Sequence, residues 1–167
     1  MQAQKQKDIK FSADHMLGRL SRWLRILGYD TDYPPPGPDK ELIESAGTDN
    51  RILLTRDKTV AETKKARVIY IKSDRIEEQL MQLAEELSLE LDANLKEEED
   101  GSLVNRCGVC NGILKPLPAE AAKEKVPEGV KAHIDKYWQC AGCNKIYWEG
   151  SHWDQIKERI EKIKKSR

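Results

Sequence analysis

Long hydrophobic runs are missing from this sequence. No stretch of roughly 18 or more apolar residues occurs, and no positively charged segment followed by an apolar one stands at its beginning. The first absence excludes an obvious membrane-spanning helix, and the second excludes a typical secretory leader. We therefore expect a soluble, cytoplasmic protein without a membrane partner.

The chain also has no net charge, because 29 Lys and Arg residues balance 29 Asp and Glu residues. The balance hides an uneven distribution: residues 1–100 contain 16 basic and 21 acidic residues, whereas residues 101–167 contain 13 basic and 8 acidic ones. A chain of 167 residues suits either one medium domain or one domain followed by a small module. A mildly basic second part is compatible with nucleic acid but does not require it.

Cysteine occurs nowhere outside two Cys-x-x-Cys pairs, Cys107/Cys110 and Cys140/Cys143. Four thiolates from two tight turns are a typical ligand set for one tetrahedral zinc ion. A disulfide framework would need an oxidising compartment, and a redox-active dithiol would need only one pair. We therefore predict a structural zinc. The 29 residues between the pairs exceed the usual zinc-ribbon spacing, so we expect an inserted loop or helix there.

The residues around these cysteines suit two zinc-binding turns. Gly108 and Gly142 are small enough to let backbone N–H groups face sulfur. Asn111 and Asn144 each follow the second cysteine of a pair, where a left-handed residue is needed. The turns therefore support zinc on grounds other than the cysteine spacing.

Residues before the cysteines alternate between strand and helix patterns. Strands are predicted near 9–13, 29–33, 51–55 and 68–71, and helices at 16–27, from Asp39 to Gly47, near 59–64 and from Asp74 onwards. This order predicts an α/β fold with a mostly parallel sheet flanked by helices. We expect this domain at 8–93, an acidic linker at 94–102, a four-cysteine zinc module at 103–157 and a basic tail at 158–167.

Four acidic residues fall where predicted strands end or the next helices begin. They are Asp14, Asp39, Asp57 and Asp74. Ligands bind beyond the carboxyl ends of parallel strands, so these carboxylates are candidates for one Mg²⁺ or Mn²⁺ site that acts on a phosphodiester. Asp14, Asp39 and Asp74 are equally candidates for helix N-caps. Asp57 is the hardest to explain by capping.

A basic stripe follows Asp14 along the first predicted helix. Arg19, Arg22 and Arg25 recur every three residues beside the apolar face. The stripe is either a solvated helix surface or a surface that positions a phosphate backbone next to the acidic residues.

Several segments together resemble one known family. They are FSADHMLGRL at 11–20, WLR at 23–25, LGYDT at 27–31, RILLTRD at 51–57, WQC at 138–140 and YWEGSHW at 147–153. The resemblance is to the Mut-seven C-terminal RNase domain family, a branch of the PIN-like nucleases with a C-terminal zinc ribbon. It extends over roughly residues 9–157.

The resemblance implies a PIN-like sheet with an acidic metal site and ribonuclease activity. Asp14 and Asp57 match the family's strand-end acids, and Asp39 matches the acid that opens the following helix. Asp74 matches only loosely, as the fourth acid of many PIN-like enzymes. The second knuckle carries five aromatic residues, which either fill a small core or stack on unpaired bases: Tyr137, Trp138, Tyr147, Trp148 and Trp153.

Our leading hypothesis is a metal-dependent ribonuclease that hydrolyses RNA at the acidic site, with a zinc ribbon that aids RNA binding. The alternative is a non-catalytic module that binds RNA or a protein on a PIN-like scaffold. A third possibility is a toxin-like nuclease that a protein partner inhibits. No feature of the sequence specifies that partner or an oligomeric state.

Overall fold

The computed structural model describes residues 8–166, which form two compact units divided between Leu91 and Asp92. No helix in this part of the chain is both long enough and apolar enough to cross a membrane. Each unit has its own sheet, parallel in the first and antiparallel in the second. The mixed α/β class with a parallel sheet and a cysteine-bearing module is therefore confirmed.

The first unit alternates strands and helices in the predicted order. Its elements are β1 (Lys10–Ala13), a 3₁₀ turn (His15–Leu17), α1 (Gly18–Ile26), β2 (Asp30–Asp32), α2 (Asp39–Thr48), β3 (Ile52–Thr55), α3 (Lys58–Ala61), β4 (Val68–Tyr70) and α4 (Ile76–Leu87). All three strand pairings are parallel, in the order β2-β1-β3-β4. After β1 the next strand, β2, pairs on one side of it, and β3 then pairs on its other side. The direction of the strand order therefore changes between β1 and β3, and sheets of this kind bind ligands at such a switch point.

Central strands of this sheet are buried on both faces, as parallel strands covered by helices must be. All four residues of β3 are buried, and so are three of the four in β1. Leu20 and Leu24 of α1 and Leu80 and Leu83 of α4 are fully buried as well. Such burial holds the carboxyl ends of β1 and β3 side by side.

Two candidate helix N-caps were wrong, although α2 begins at Asp39 as predicted. Pro38 occupies the N-cap of α2, and Asp39 is the first helical residue, with no side-chain cap hydrogen bond at this end. Arg75 occupies the N-cap of α4, so Asp74 lies outside that helix. The fixed φ of proline suits a residue at a helix entrance, which explains the shift at α2.

The second unit is an antiparallel sheet with helical additions. Its elements are β5 (Leu103–Arg106), β6 (Ile113–Leu117), α5 (Ala119–Lys123), α6 (Glu128–Lys131), β7 (Tyr137–Cys140), β8 (Ile146–Tyr147) and α7 (Ser151–Lys165). The strand order is β5-β6-β7-β8. The helices α5 and α6 lie between the two cysteine pairs, which confirms the expected insertion.

The charged segments at the two ends of this unit, the acidic stretch before β5 and the basic end of the chain, have defined backbone structure. In the acidic stretch, Glu98 N donates to Ser102 O and Val104 N donates to Lys96 O, so the chain folds back on itself before β5. The helix α7 crosses the expected boundary at 157/158, because its buried residues recur at helical spacing: Trp153, Ile156, Ile160 and Ile163.

Candidate functional site

The four cysteines lie at the tips of two hairpins. Cys107 follows β5, Cys110 lies in the turn before β6, Cys140 ends β7, and Cys143 lies in the turn before β8. Each hairpin therefore contributes one buried thiol, from Cys107 or Cys140, and one exposed thiol. This division follows from the turns, because the first cysteine of each pair is still next to the sheet.

All four sulfur atoms lie within 4.8 Å of one another. Two contacts join the hairpins, with 3.3 Å between the sulfurs of Cys110 and Cys140 and 3.6 Å between those of Cys107 and Cys143. Four sulfurs at about 2.3 Å from one tetrahedral ion lie roughly 3.8 Å apart, so the set fits one zinc. Among residues 8–166 no other group of three or more Cys, His, Asp or Glu side chains is this close.

The two turns repeat the same backbone pattern. Asn111 N donates to Cys107 O, and Asn144 N donates to Cys140 O. Both asparagines have positive φ, 69° and 63°, as their position predicted. In the second turn, the backbone N–H groups of Gly142 and Cys143 point at the Cys140 sulfur, 3.3 and 3.5 Å away. Such donors stabilise a thiolate.

The thiols differ in their tendency to ionise. Burial raises the pKa of Cys107, but the hydroxyl of Tyr147 at 3.0 Å and nearby backbone N–H groups outweigh it and lower the pKa to about 7. Burial and the neighbouring Cys140 thiol raise the pKa of Cys110 to about 12. Burial raises the pKa of Tyr147, and the hydrogen bond with the Cys107 sulfur raises it further. The Cys107 thiolate is therefore favoured without a cation, and a bound cation would be needed to ionise the Cys110 thiol.

Asp14 lies at the carboxyl end of β1, next to the switch point of the parallel sheet. Its side chain is only 2% exposed, and Oδ2 accepts a hydrogen bond of 2.8 Å from the hydroxyl of Thr55. Its Oδ1 is 2.6 Å from His15 Nδ1 but has no correctly oriented donor among the described residues. No side-chain cap bond forms at the following 3₁₀ turn, so capping does not explain Asp14.

A cavity of about 240 Å³ opens beside Asp14. Its lining includes Asp39 and Glu41 from the first turn of α2, together with His15 and the proline-rich loop at 34–38. Asp39 is exposed, so its carboxylate is hydrated rather than held by the protein. The sequence analysis missed Glu41, although it shares the first turn of α2 with Asp39.

Asp57 lies beyond the end of β3 and caps α3. Its Oδ1 accepts from the backbone N–H groups of Thr59 and Val60 at 2.7 and 3.1 Å. Its own N–H donates to the Thr55 hydroxyl, which also donates to Asp14. Thr55 therefore links the two acidic positions, a role that depends on strand pairing and carries no local sequence signal.

The remaining candidates are dispersed. Asp74 is exposed and does not line the cavity beside Asp14. Arg19 and Arg22 are exposed on α1, whereas Arg25 is 6% exposed and donates through Nε to Thr31 O at 2.8 Å. Arg25 thus braces β2 against α1, and the basic stripe that the sequence suggested consists of two residues rather than three.

Aromatic residues of the second unit divide between core and surface. Tyr137, Trp138 and Trp153 are at most 5% exposed, whereas Tyr147 and Trp148 are half-buried. Packing therefore explains the first three, as a small module requires.

Comparisons with known proteins give one match. No curated protein and no solved structure matches the chain. The family model of the Mut7-C RNAse domain matches residues 9–160, which is nearly the whole chain and includes both units. On this evidence, the parallel sheet with its strand-end acids and the four-cysteine module that follows belong to a member of the Mut7-C RNAse domain family.

Proposed function

We propose that this protein is a metal-dependent ribonuclease whose acidic site lies at the carboxyl edge of the parallel sheet. Family membership supports a nuclease-like function. The single observation that supports the location best is the Asp14 carboxylate, because its buried Oδ1 has no oriented donor among the described residues and the residue lines a cavity. A buried charge in this state is costly unless a cation or proton neutralises it.

Asp14 would be the fixed ligand of Mg²⁺ or Mn²⁺, with Asp39 across the cavity and Asp57 beyond β3 as further ligands. Carboxylate oxygens are the donors that these hard cations prefer. The bound cation would polarise the phosphodiester and lower the pKa of the attacking water. Asp57 would have to share its carboxylate between the cation and the α3 N-terminus. Asp74 stays a candidate ligand only if the loop after β4 moves.

Other residues of this chain would hold RNA rather than react with it. The exposed guanidinium groups of Arg19 and Arg22 can contact phosphates near Asp14, on the helix that follows it. Hydrolysis forms one phosphorus–oxygen bond to water and breaks one to the leaving oxygen, which takes a proton. The products are a phosphate monoester and a free hydroxyl.

In the second unit, we propose that Cys107, Cys110, Cys140 and Cys143 hold a structural zinc. The closed set of four sulfurs leaves no position for a substrate, which is typical of structural sites. Metal analysis of protein purified without added metal should then find about one zinc per chain.

The test of the catalytic proposal is cleavage of single-stranded and structured RNAs with Mn²⁺. We expect Asp14→Asn and Asp57→Asn each to lower the rate on the order of 100-fold, because a neutral amide is a poor ligand for a hard cation. Asparagine is also a good N-cap, so Asp57→Asn preserves the start of α3. The matched control is Asp49→Asn, an exposed acid at the other end of α2 from Asp39.

An Asp14→Asn protein that cleaves RNA as fast as its parent, after nuclease-free purification, would refute this site. A parent that binds RNA but cleaves none of it would instead support the non-catalytic binding module.

A further inference from the structure

The amino-terminal edge of the parallel sheet, opposite the acidic site, contains a larger cavity of about 470 Å³. It lies between the residues that precede β1, the end of α2, the start of β3 and the segment between α3 and β4. We call it the basic cleft, because five cationic side chains line it: Lys10, Arg51, Lys64, Lys65 and Arg67. Asp8 is the one acid among its described lining residues.

Four of these cations are available to a ligand. Lys10, Lys64, Lys65 and Arg67 are exposed, and none forms an ion pair with another residue that the structure describes. Like charges brought together in this way repel one another, so a cluster of cations with a single acid, Asp8, in the lining favours an anion from solution. The cluster is unexpected in the half of the chain with a net negative charge.

Arg51 contributes differently, from within the wall of the cleft. Its side chain is 16% exposed, and Nη1 donates to Asp30 Oδ1 at 2.8 Å and to Phe11 O at 3.2 Å. The Nε atom is buried and has no acceptor among the described residues. Asp30 therefore orients the guanidinium and offsets its charge, so Arg51 shapes the wall while the four exposed cations supply the positive charge of the cleft.

The opposite wall is held in place by a close backbone contact. A Cβ atom on Gly47, near the end of α2, would lie 2.6 Å from the carbonyl oxygen of Lys65. The segment that carries Lys64 and Lys65 therefore packs directly on the helix. The cleft is thus a formed cavity and not a set of lysines on a free loop.

We propose that the basic cleft binds phosphate groups, either those of an RNA backbone or those of a free phosphate compound. Lysine ammonium groups act as point charges for phosphate, and arginine adds directed donors. A phosphate held here lies at the opposite edge of the sheet from Asp14, so it is not one that the acidic site would cleave. The proposal concerns binding and stands apart from the proposed catalysis.

The experiment measures binding of a short fluorescein-labelled single-stranded RNA by anisotropy. It uses the full chain carrying Asp14→Asn, without added Mg²⁺ or Mn²⁺, so that cleavage plays no part. In this background, Lys64→Gln/Lys65→Gln should weaken binding about tenfold and lower the slope of log affinity against log salt by about 1.4. The control, Lys162→Gln/Lys165→Gln, removes two exposed charges from α7 and should change affinity less than about twofold.

Competition with pyrophosphate separates the two sources of phosphate. If pyrophosphate displaces RNA at concentrations similar to those of the RNA itself, the cleft binds a free phosphate compound. If pyrophosphate displaces RNA only at much higher concentrations, the cleft binds an RNA backbone. The competition names the source of the phosphate, and the loss of affinity in the cleft variant is the result that supports the cleft. Unchanged affinity in the cleft variant, or an equal loss in the α7 variant, would overturn it.

Discussion

At the scale of single residues, Gly112 is the position where the cysteine centre has least space. A Cβ atom there would lie 2.5 Å from the Cys140 sulfur and 3.2 Å from the Cys110 sulfur. Carbon and sulfur do not approach this closely without a bond, so any side chain would displace a sulfur that we propose as a zinc ligand.

We therefore predict that Gly112→Ala weakens zinc binding about 10- to 100-fold, the range typical of changes that misplace metal ligands. The measurement is the equilibrium transfer of zinc to a chromophoric chelator. Gly129→Ala, in the same unit, is the control, because nothing lies within 4 Å of its added Cβ. Equal zinc affinities for the two variants would show that the sulfurs do not hold the ion.

Residues differ in how far their roles can be predicted from sequence. The left-handed conformations of Asn111 and Asn144 follow from the Cys-x-x-Cys turn itself, and the structure confirms them. The cap formed by Asp57 was not expected, because α3 has only four residues and too little periodicity to mark a helix start. The Thr55 link needs β1 paired with β3, which the local sequence does not encode.

At the scale of elements, the strands and helices of the first unit follow from hydrophobic periodicity. The N-caps were less predictable: Asp39 and Asp74 are good capping residues, but Pro38 and Arg75 occupy the N-cap positions. The basic cleft could not be predicted, because Lys10, Arg51 and Lys64 are distant in sequence and meet only through the sheet.

The connection from α1 to β2 provides a prediction about pH. Tyr29 is 5% exposed, and its hydroxyl donates to Glu90 O at 2.9 Å. Burial, aided by the charge of Glu90, raises the pKa of Tyr29 from 10.0 to about 12. The folded state thus favours the neutral phenol. This contribution to stability is complete below pH 10 and is lost as the pH rises from 10 to about 12.

We therefore expect the unfolding free energy of Tyr29→Phe to depend less on alkaline pH than that of the parent does. The difference in unfolding free energy should change by about 2–3 kcal/mol across this window, since one pKa unit corresponds to about 1.4 kcal/mol. Urea unfolding of both proteins at a series of pH values measures it. Parallel stability curves would contradict a raised pKa, and other titrating groups cancel because both proteins share them.

At the scale of the whole molecule, two units with separate sheets predict an uneven response to metal removal. A strong chelator should abolish amide hydrogen-exchange protection in β5 to β8, because a module this small would depend on the proposed zinc for its stability. The parallel sheet of β1 to β4 should stay protected. Exchange followed by mass spectrometry on the full chain, before and after chelation, measures both.

Tryptophan fluorescence provides a second view of the same change. Trp138, Trp148 and Trp153 belong to the second unit, and Trp23 belongs to the first. Most of the emission should therefore shift when the chelator acts, and zinc should restore it. Simultaneous loss of protection in both sheets would show that the units do not fold separately.

The strand order of the first unit also has a kinetic consequence. Phe11 pairs with Ile52, and each pairing in that sheet requires a crossover to be closed first, whereas β5–β6 and β7–β8 join through short turns. Non-local pairing slows folding, because the entropy of loop closure is lost before the contacts form. While the chain is being synthesised, the edge of β1 that pairs with β3 therefore waits longest for its partner, and it is an exposed route to aggregation during that time.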